Sequence, residues 1–134
     1  MNILLDTHIA IWALDDSPML SQKARDLILD QDNTIYYSTV SVWEVLLKHS
    51  RRPTEIPFDE ADFSNSCREA GYHPLSLSDK HILAVSTLSR SDSAPEHNDP
   101  FDRLLLAQAK VENLSFITHD TLIPGYEEKC IISV

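Results

Sequence analysis

Five acidic side chains stand where a carboxylate can do more than solvate a surface. Asp6 closes a short apolar run, Asn2-Ile3-Leu4-Leu5, and Asp120 follows another, Ser115-Phe116-Ile117-Thr118. Glu44, Asp99 and Asp102 lie instead near the starts of amphipathic segments. Carboxylates gathered in a partly dry cleft repel one another by several kcal/mol per close pair, on the order set by an intermediate dielectric, unless protons or a cation intervene. A hard divalent cation with oxygen ligands is the natural counter-charge. Such an ion supports in-line attack of water on a phosphodiester without a side-chain nucleophile, because it lowers the pKa of water and stabilises charge on the phosphate oxygens.

Each acid also has an explanation in local structure. Asp99 followed by Pro100 has the form of an N-cap with proline in the first helical position. Glu44, three residues after Ser41, has the spacing of the return arm of a capping box. Asp102 suits the positive end of a helix macrodipole. These readings do not together account for acids that also end two apolar strands.

Bringing the five together requires an alternating α/β chain. The sequence predicts strands over Asn2-Leu5, Thr34-Ser38, Tyr72-Leu75, Ser115-Thr118 and Lys129-Val134, with Pro74 restricting the third to an edge or a strand end. Helices are expected from Thr7, from Ser17 or Ser21 to the polar Asp30-Asn33 stretch, from Ser41 to the basic run before Pro53, and from Asp59 to Ala70 with Gly71 just beyond. Two more are expected, one opened by Ser78 and carrying Ile82, Leu83, Val85 and Leu88, and one from Asp99-Pro100 to about Glu112. Ser89-Asn98, rich in Ser and charge, is the best candidate for a mobile loop. In a mostly parallel sheet with right-handed crossovers, the carboxyl ends of strands and the amino ends of the following helices share one rim. All five acids are therefore expected there.

The bulk composition bounds this reading. A chain of 134 residues with 43% apolar residues is the size of one domain, taken as residues 1-134, and no repeat is visible. The start, Met1 to Asp6, lacks a basic leader, and no uncharged apolar run reaches bilayer-spanning length, so a soluble, cytoplasmic protein without membrane contact is expected. Cys67 and Cys130 are isolated and lack metal-site spacing, which suits reduced thiols. A net charge of -10 argues against indiscriminate attraction to a polyanion. Basic residues are nevertheless concentrated in Lys48-His49-Ser50-Arg51-Arg52, which is either a solvated face or a surface for a phosphate backbone.

Four segments carry a family resemblance: Leu4-Leu5-Asp6-Thr7-His8 with Trp12; Ser41-Val42-Trp43-Glu44; His97-Asn98-Asp99-Pro100-Phe101-Asp102-Arg103 running on to Ala109; and Ile117-Thr118-His119-Asp120. In this order they resemble the PIN-domain ribonucleases, in particular the VapC-like toxins of bacterial toxin-antitoxin pairs, over nearly the whole chain. The resemblance implies a PIN-like three-layer α/β/α fold with a central mostly parallel sheet. It carries the family's acidic catalytic and metal-binding set onto Asp6, Glu44, Asp102 and Asp120, with Asp99 as an accessory acid. It further implies Mg²⁺ or Mn²⁺, hydrolysis of RNA to a 5′-phosphate product, a homodimer, and a cognate antitoxin that blocks the site. Thr7 and Thr118 resemble the hydroxyl residues beside the family's acids, although helix capping and sheet edges explain them equally well. His8 and Trp12 fit the family pattern but are assigned no catalytic role, since a Trp on an apolar helix face is ordinarily core. The Ser89-Glu96 stretch is longer than the pattern leads one to expect.

Three other readings compete. A haloacid-dehalogenase-type phosphatase needs a second acid two residues after the first, where this chain has His8. A phosphoacceptor receiver domain needs an acceptor Asp ending its third strand, where this chain offers only Tyr72 to Leu75. A catalytically silent PIN-like binding module shares the fold, and intact acids weigh against it.

Overall fold

The computed structural model describes residues 1–134. Five strands, β1 (Asn2–Leu5), β2 (Thr34–Ser38), β3 (His73–Leu75), β4 (Ser115–Thr118) and β5 (Ile131–Ser133), form one sheet in the order β3-β2-β1-β4-β5. Every neighbouring pair is parallel, with Leu4 opposite Tyr36 on one side and Phe116 on the other. The helices are α1 (Thr7–Leu14), α2 (Gln22–Leu29), α3 (Thr39–Arg51), α4 (Glu60–Glu69), α5 (Asp79–Ala84) and α6 (Pro100–Glu112).

The unbroken apolar run in β1 follows from its central place. Ile3 and Leu5 enter one core with Ile9 and Ala10 of α1, Ala24 of α2 and Phe63 of α4, whereas Leu4 enters a second core with Leu105, Leu106 and Ala109 of α6. A strand covered on both faces has no solvent side, so the alternation of apolar and polar residues disappears. β4 divides in the same way, Phe116 going to the α6 side and Ile117 to the other. The result is the three-layer α/β/α arrangement with the sheet in the middle. Helix α3 contributes to both cores, through Val40 and Val45, because it starts at the end of a strand and crosses over the rim of the sheet.

Most helix boundaries follow their caps. Ser21 accepts from the Ala24 amide at 3.1 Å, Asp59 from Asp62 at 2.8 Å, and Asp99 from Asp102 at 3.0 Å with Pro100 beginning the helix. Gly71, just past α4, holds a φ of 85°, in the left-handed region where a side chain is costly.

The start of α3 departs from expectation. Ser38, the last residue of β2, is the N-cap and accepts from the Val40 amide at 3.0 Å, so the helix begins at Thr39 with no intervening loop. The capping box of Ser41 and Glu44 does not form: Ser41 Oγ pairs with Thr7 Oγ1 at 2.8 Å, and Glu44 sits in the second helical turn. Helix α5 also ends early, at Ala84, and a single 3₁₀ turn over Val85–Thr87 carries the chain to Leu88. Residues 89–98 contain no helix or strand, but they are fastened. The Arg90 guanidinium donates to the carbonyls of Pro95 and Leu122, and it lies 4.7 Å from the centre of the Tyr126 ring. No helix is long and apolar enough to cross a membrane.

Candidate metal centre

The rim predicted from the strand ends is where the acids meet. Asp6 follows β1 and Asp120 follows β4, its nearest neighbour on that side, while Asp99 and Asp102 open α6 and Glu44 projects from α3. Together with His8, Trp12, Lys48 and His119 they line one cavity of about 260 Å³, so all five acids expected at a common rim are brought together.

The strand-end acids are held by the backbone and by one hydroxyl. Asp6 Oδ1 accepts from the Thr7 amide at 2.7 Å, and its Oδ2 accepts from Thr118 Oγ1 at 2.6 Å. Thr118 Oγ1 in turn accepts from the Asp120 amide at 3.1 Å, so one buried threonine spaces two acids. The hydroxyls of Thr7 and Thr118 thus have different partners: Thr7 braces α1 against Ser41 of α3, and Thr118 faces the carboxylate. Asp120 Oδ1 is used by the Leu122 amide at 2.7 Å.

The helical acids are arranged otherwise. Asp99 both caps α6 and lines the cavity, so its local and its site reading hold at once. Asp102 has one side-chain partner, His97, whose Nε2 lies 3.2 Å from Asp102 Oδ2. His97 is buried and is fixed from behind by the Tyr126 hydroxyl, 2.8 Å from Nδ1. His97, Asp102 and Asp120 each offer a donor atom, and these three atoms lie within 4.8 Å of one another. Glu44, 2% exposed, receives Lys48 Nζ on Oε2 at 2.5 Å, but its Oε1 is buried with no partner at all.

Electrostatics express the crowding. Burial, opposed by the Thr118 hydrogen bond and reinforced by the Glu44 charge, pushes the Asp6 carboxyl up to about 6. Burial and then the charges of Asp6, Asp99, Glu44 and Asp120 push Asp102 up to about 8. Lys48 moves the other way: burial disfavours its charge, yet the hydrogen bond and charge of Glu44 outweigh that and hold it above its ordinary value. An orphaned buried carboxylate oxygen and two carboxyls driven toward their neutral forms mark a site short of positive charge. Oxygen donors of this kind fit a hard divalent ion such as Mg²⁺ or Mn²⁺, and the imidazole of His97 is compatible with Mn²⁺.

The sequence matches the family model described as the PIN domain over residues 3–128. The chain belongs to the PIN domain family. Its fold is similar to that of a chain in the crystal structure of VapBC2 from Rickettsia felis bound to a DNA fragment from their promoter, with a TM-score of 0.67 at 17% identity over 100% of this chain and 98% of that one. It is also similar to a chain of a toxin-antitoxin complex from Klebsiella pneumoniae, with a TM-score of 0.62 at 14% identity over 97% of this chain and 95% of that one. At such identities the likeness is one of fold. No curated protein matches the sequence.

Within this PIN domain, two residues stand among the acids in ways that the sequence alone does not show. Lys48 was visible only as part of a basic run, although its position four residues after Glu44 on one helix is the spacing of an ion pair. His97 falls in the segment expected as a loop over Ser89-Asn98, and its five-residue separation from Asp102 across the helix start is the only local hint. Arg103 does not line the cavity and makes no ion pair, and its Nε is buried without a partner.

Proposed function

We propose that this PIN domain, taken as one unit over residues 1–134, is a metal-dependent endoribonuclease that hydrolyses RNA phosphodiesters and serves as the toxin of a toxin-antitoxin pair. The observation that carries the nuclease reading is the meeting of five carboxylates at one cavity, with Glu44 Oε1 buried and unpaired. Asp6, Glu44, Asp102 and Asp120 are the residues that would hold Mg²⁺ or Mn²⁺, with Asp99 as an accessory donor. When bound, the cation supplies positive charge to the phosphate oxygens and makes water acidic enough to yield a nucleophile near neutral pH.

The chain's own side chains do the rest. Thr118 fixes Asp6 through Oδ2 and fixes the backbone before Asp120. His97 holds Asp102 Oδ2 in place, and Tyr126 holds His97. Lys48 neutralises one oxygen of Glu44 and leaves the other for the cation. No serine, cysteine or threonine need attack the phosphate.

The toxin assignment draws on the fold shared with a chain of the Rickettsia felis VapBC2 complex and of the Klebsiella pneumoniae toxin-antitoxin complex. A partner antitoxin covering the cavity, and a homodimer, belong to the same reading. The test is cleavage of structured RNA by purified protein with added Mg²⁺ or Mn²⁺, lost in chelator and blocked by the product of a neighbouring reading frame. Cleavage that continues unchanged in excess chelator refutes the metal mechanism.

A further inference from the structure

The five carboxylates offer only oxygen, yet one buried nitrogen lies among them. The His97 side chain is 3% exposed, and a ring nitrogen of His97 and an oxygen each of Asp102 and Asp120 lie within 4.8 Å of one another. His8 and His119 also reach the cavity, but both are exposed and lie against Trp12, and His119 Nδ1 is paired with the Val134 carbonyl at 3.0 Å. Between His97 Nε2 and Asp102 Oδ2 the distance is 3.2 Å. A charge-assisted N–H···O⁻ bond ordinarily closes to about 2.7–2.9 Å. Two donors held at right angles, each about 2.1–2.2 Å from one ion, stand about 3.0–3.1 Å apart. The observed spacing is thus long for an ion pair and suited to a shared cation.

The far side of the ring is already arranged for that. Nδ1 lies 2.8 Å from the Tyr126 oxygen, and the Tyr126 hydroxyl donates to the His97 carbonyl at 3.4 Å. A hydroxyl has one hydrogen, so with that hydrogen on the carbonyl Nδ1 is the donor and Nε2 carries the lone pair. A metal-bound histidine has this form, its second nitrogen donating to an outer partner. On another wall of the cavity, the buried and unpartnered Glu44 Oε1 independently marks missing positive charge.

We propose that His97 is itself a ligand: Nε2, with Asp102 and Asp120, forms a nitrogen-containing position that takes a borderline transition ion, Mn²⁺, Co²⁺ or Zn²⁺, in preference to Mg²⁺. The proposal rests on the metal-dependent reading of the adjacent acids and adds a donor of another kind to them. Imidazole gains little from a hard ion such as Mg²⁺ and much from the later transition ions, so one nitrogen changes which metal the centre prefers. Binding exchanges the Nε2 contact with Asp102 for a shared ion, while Tyr126 keeps the ring in place.

The test uses the full chain without RNA. With Mn²⁺ bound, pulsed electron paramagnetic resonance should detect a nitrogen coupled to the ion. A double variant, His8→Gln with His119→Gln, should keep that coupling, and His97→Gln should lose it. By calorimetry, His97→Gln should weaken Co²⁺ and Zn²⁺ about tenfold or more and Mg²⁺ by less than about threefold, since Gln offers oxygen in place of nitrogen. If His97→Gln does not fold, the parent and the double variant still decide, because His49, His73 and His81 do not line the cavity.

The proposal is overturned if Mn²⁺ binds without nitrogen coupling, if the coupling disappears with His8 and His119, or if His97→Gln weakens every ion equally. In those cases an all-oxygen centre and the ribonuclease reading both stand. Nitrogen coupling in a protein that cuts no RNA with any of the four ions supports His97 as a ligand and refutes the ribonuclease. If no divalent ion binds at all, both fall.

Discussion

Asp6 and Asp102 face the same cavity and are held there by opposite means. Asp6 ends a central strand, and both of its oxygens are engaged, by the Thr7 amide and by Thr118 from the adjacent strand. Its position is fixed by the sheet itself. Asp102 sits on a helix and has one side-chain partner, His97, delivered by a loop that is fastened to distant residues, Arg90 to the Leu122 carbonyl 32 residues on and His97 to Tyr126 29 residues on. The electrostatic consequence follows: the carboxyl with two donors rises to about 6, and the carboxyl with one partner among four acids rises to about 8. One wall of the site is built into the fold, and the other is tied to it.

The largest effect should come from removing either charge. Asp6→Asn and Asp102→Asn should each lower RNA cleavage at least a hundredfold, since each takes a negative ligand from the proposed cation site. Their effects on folding should differ. Without metal, Asp102→Asn relieves repulsion among crowded acids and should raise the melting temperature at neutral pH. Asp6→Asn should gain less, because the Thr118 hydroxyl must reverse its hydrogen bond to face an amide. Equal shifts in melting temperature would break the comparison.

The pH dependence of metal-free stability sharpens it. Both carboxyls have folded values above the ordinary 3.8, so between those limits the folded state binds more protons than the unfolded state. Their stabilisation is complete below about pH 4 and is lost as pH rises, through about 6 for Asp6 and about 8 for Asp102. His97, lowered by burial and by Arg90, works in the opposite direction below the ordinary imidazole range. Melting temperature in chelator should therefore fall by about 5 °C or more from mildly acidic to mildly alkaline pH, and saturating Mg²⁺ should flatten the curve. A stability that rises over the same interval with the acids metal-free would contradict these shifts.

Loosening the tie should have a smaller effect. A Cβ on Gly125 would lie 2.7 Å from an Arg90 guanidinium nitrogen and 2.8 Å from Ala94 Cβ, so Gly125→Ala must displace the loop that presents His97. Tyr126→Phe removes the hydroxyl behind His97 and should cost about 1 kcal/mol of stability. Both should weaken Mn²⁺ binding several-fold, measured by calorimetry, and slow cleavage about tenfold. If both bind Mn²⁺ as the parent does, the tie does not position Asp102.

The difference between the walls also explains what could be read in advance. The strand-end acids were legible because β1 and β4 are central, hence apolar on both faces, and a charged residue ending such a run stands out. The opening of α6 was legible because Asp99-Pro100 is a local signal. His97 was not, because its meaning depends on Tyr126 and Asp102, which no periodicity connects to it. Glu44 was placed on the correct helix in the wrong register. The spacing of Ser41 to Glu44 pointed to Ser41 as the opening residue of α3, whereas the structure caps the helix with Ser38 and commits the Ser41 hydroxyl to Thr7, 34 residues away.

That misreading supplies the smallest and most diagnostic effect on cleavage. Ser38 is fully buried, accepts from the Val40 amide and donates to Gln108 Oε1 at 2.5 Å, while Gln108 Nε2 already lacks a partner. Ser38→Ala therefore removes a helix cap and leaves the buried Gln108 amide with no side-chain hydrogen bond, a loss of about 2 kcal/mol or more. Ser41→Ala breaks one buried hydroxyl pair and should cost about 1 kcal/mol. Neither residue touches a carboxylate of the cavity, so cleavage per folded molecule should remain near that of the parent in both. Urea midpoints at constant slope would rank the two variants. If Ser41→Ala proved the costlier, the helix would have to begin at Ser41 after all, and Glu44 would return to the first turn as the arm of a capping box instead of the proposed ligand.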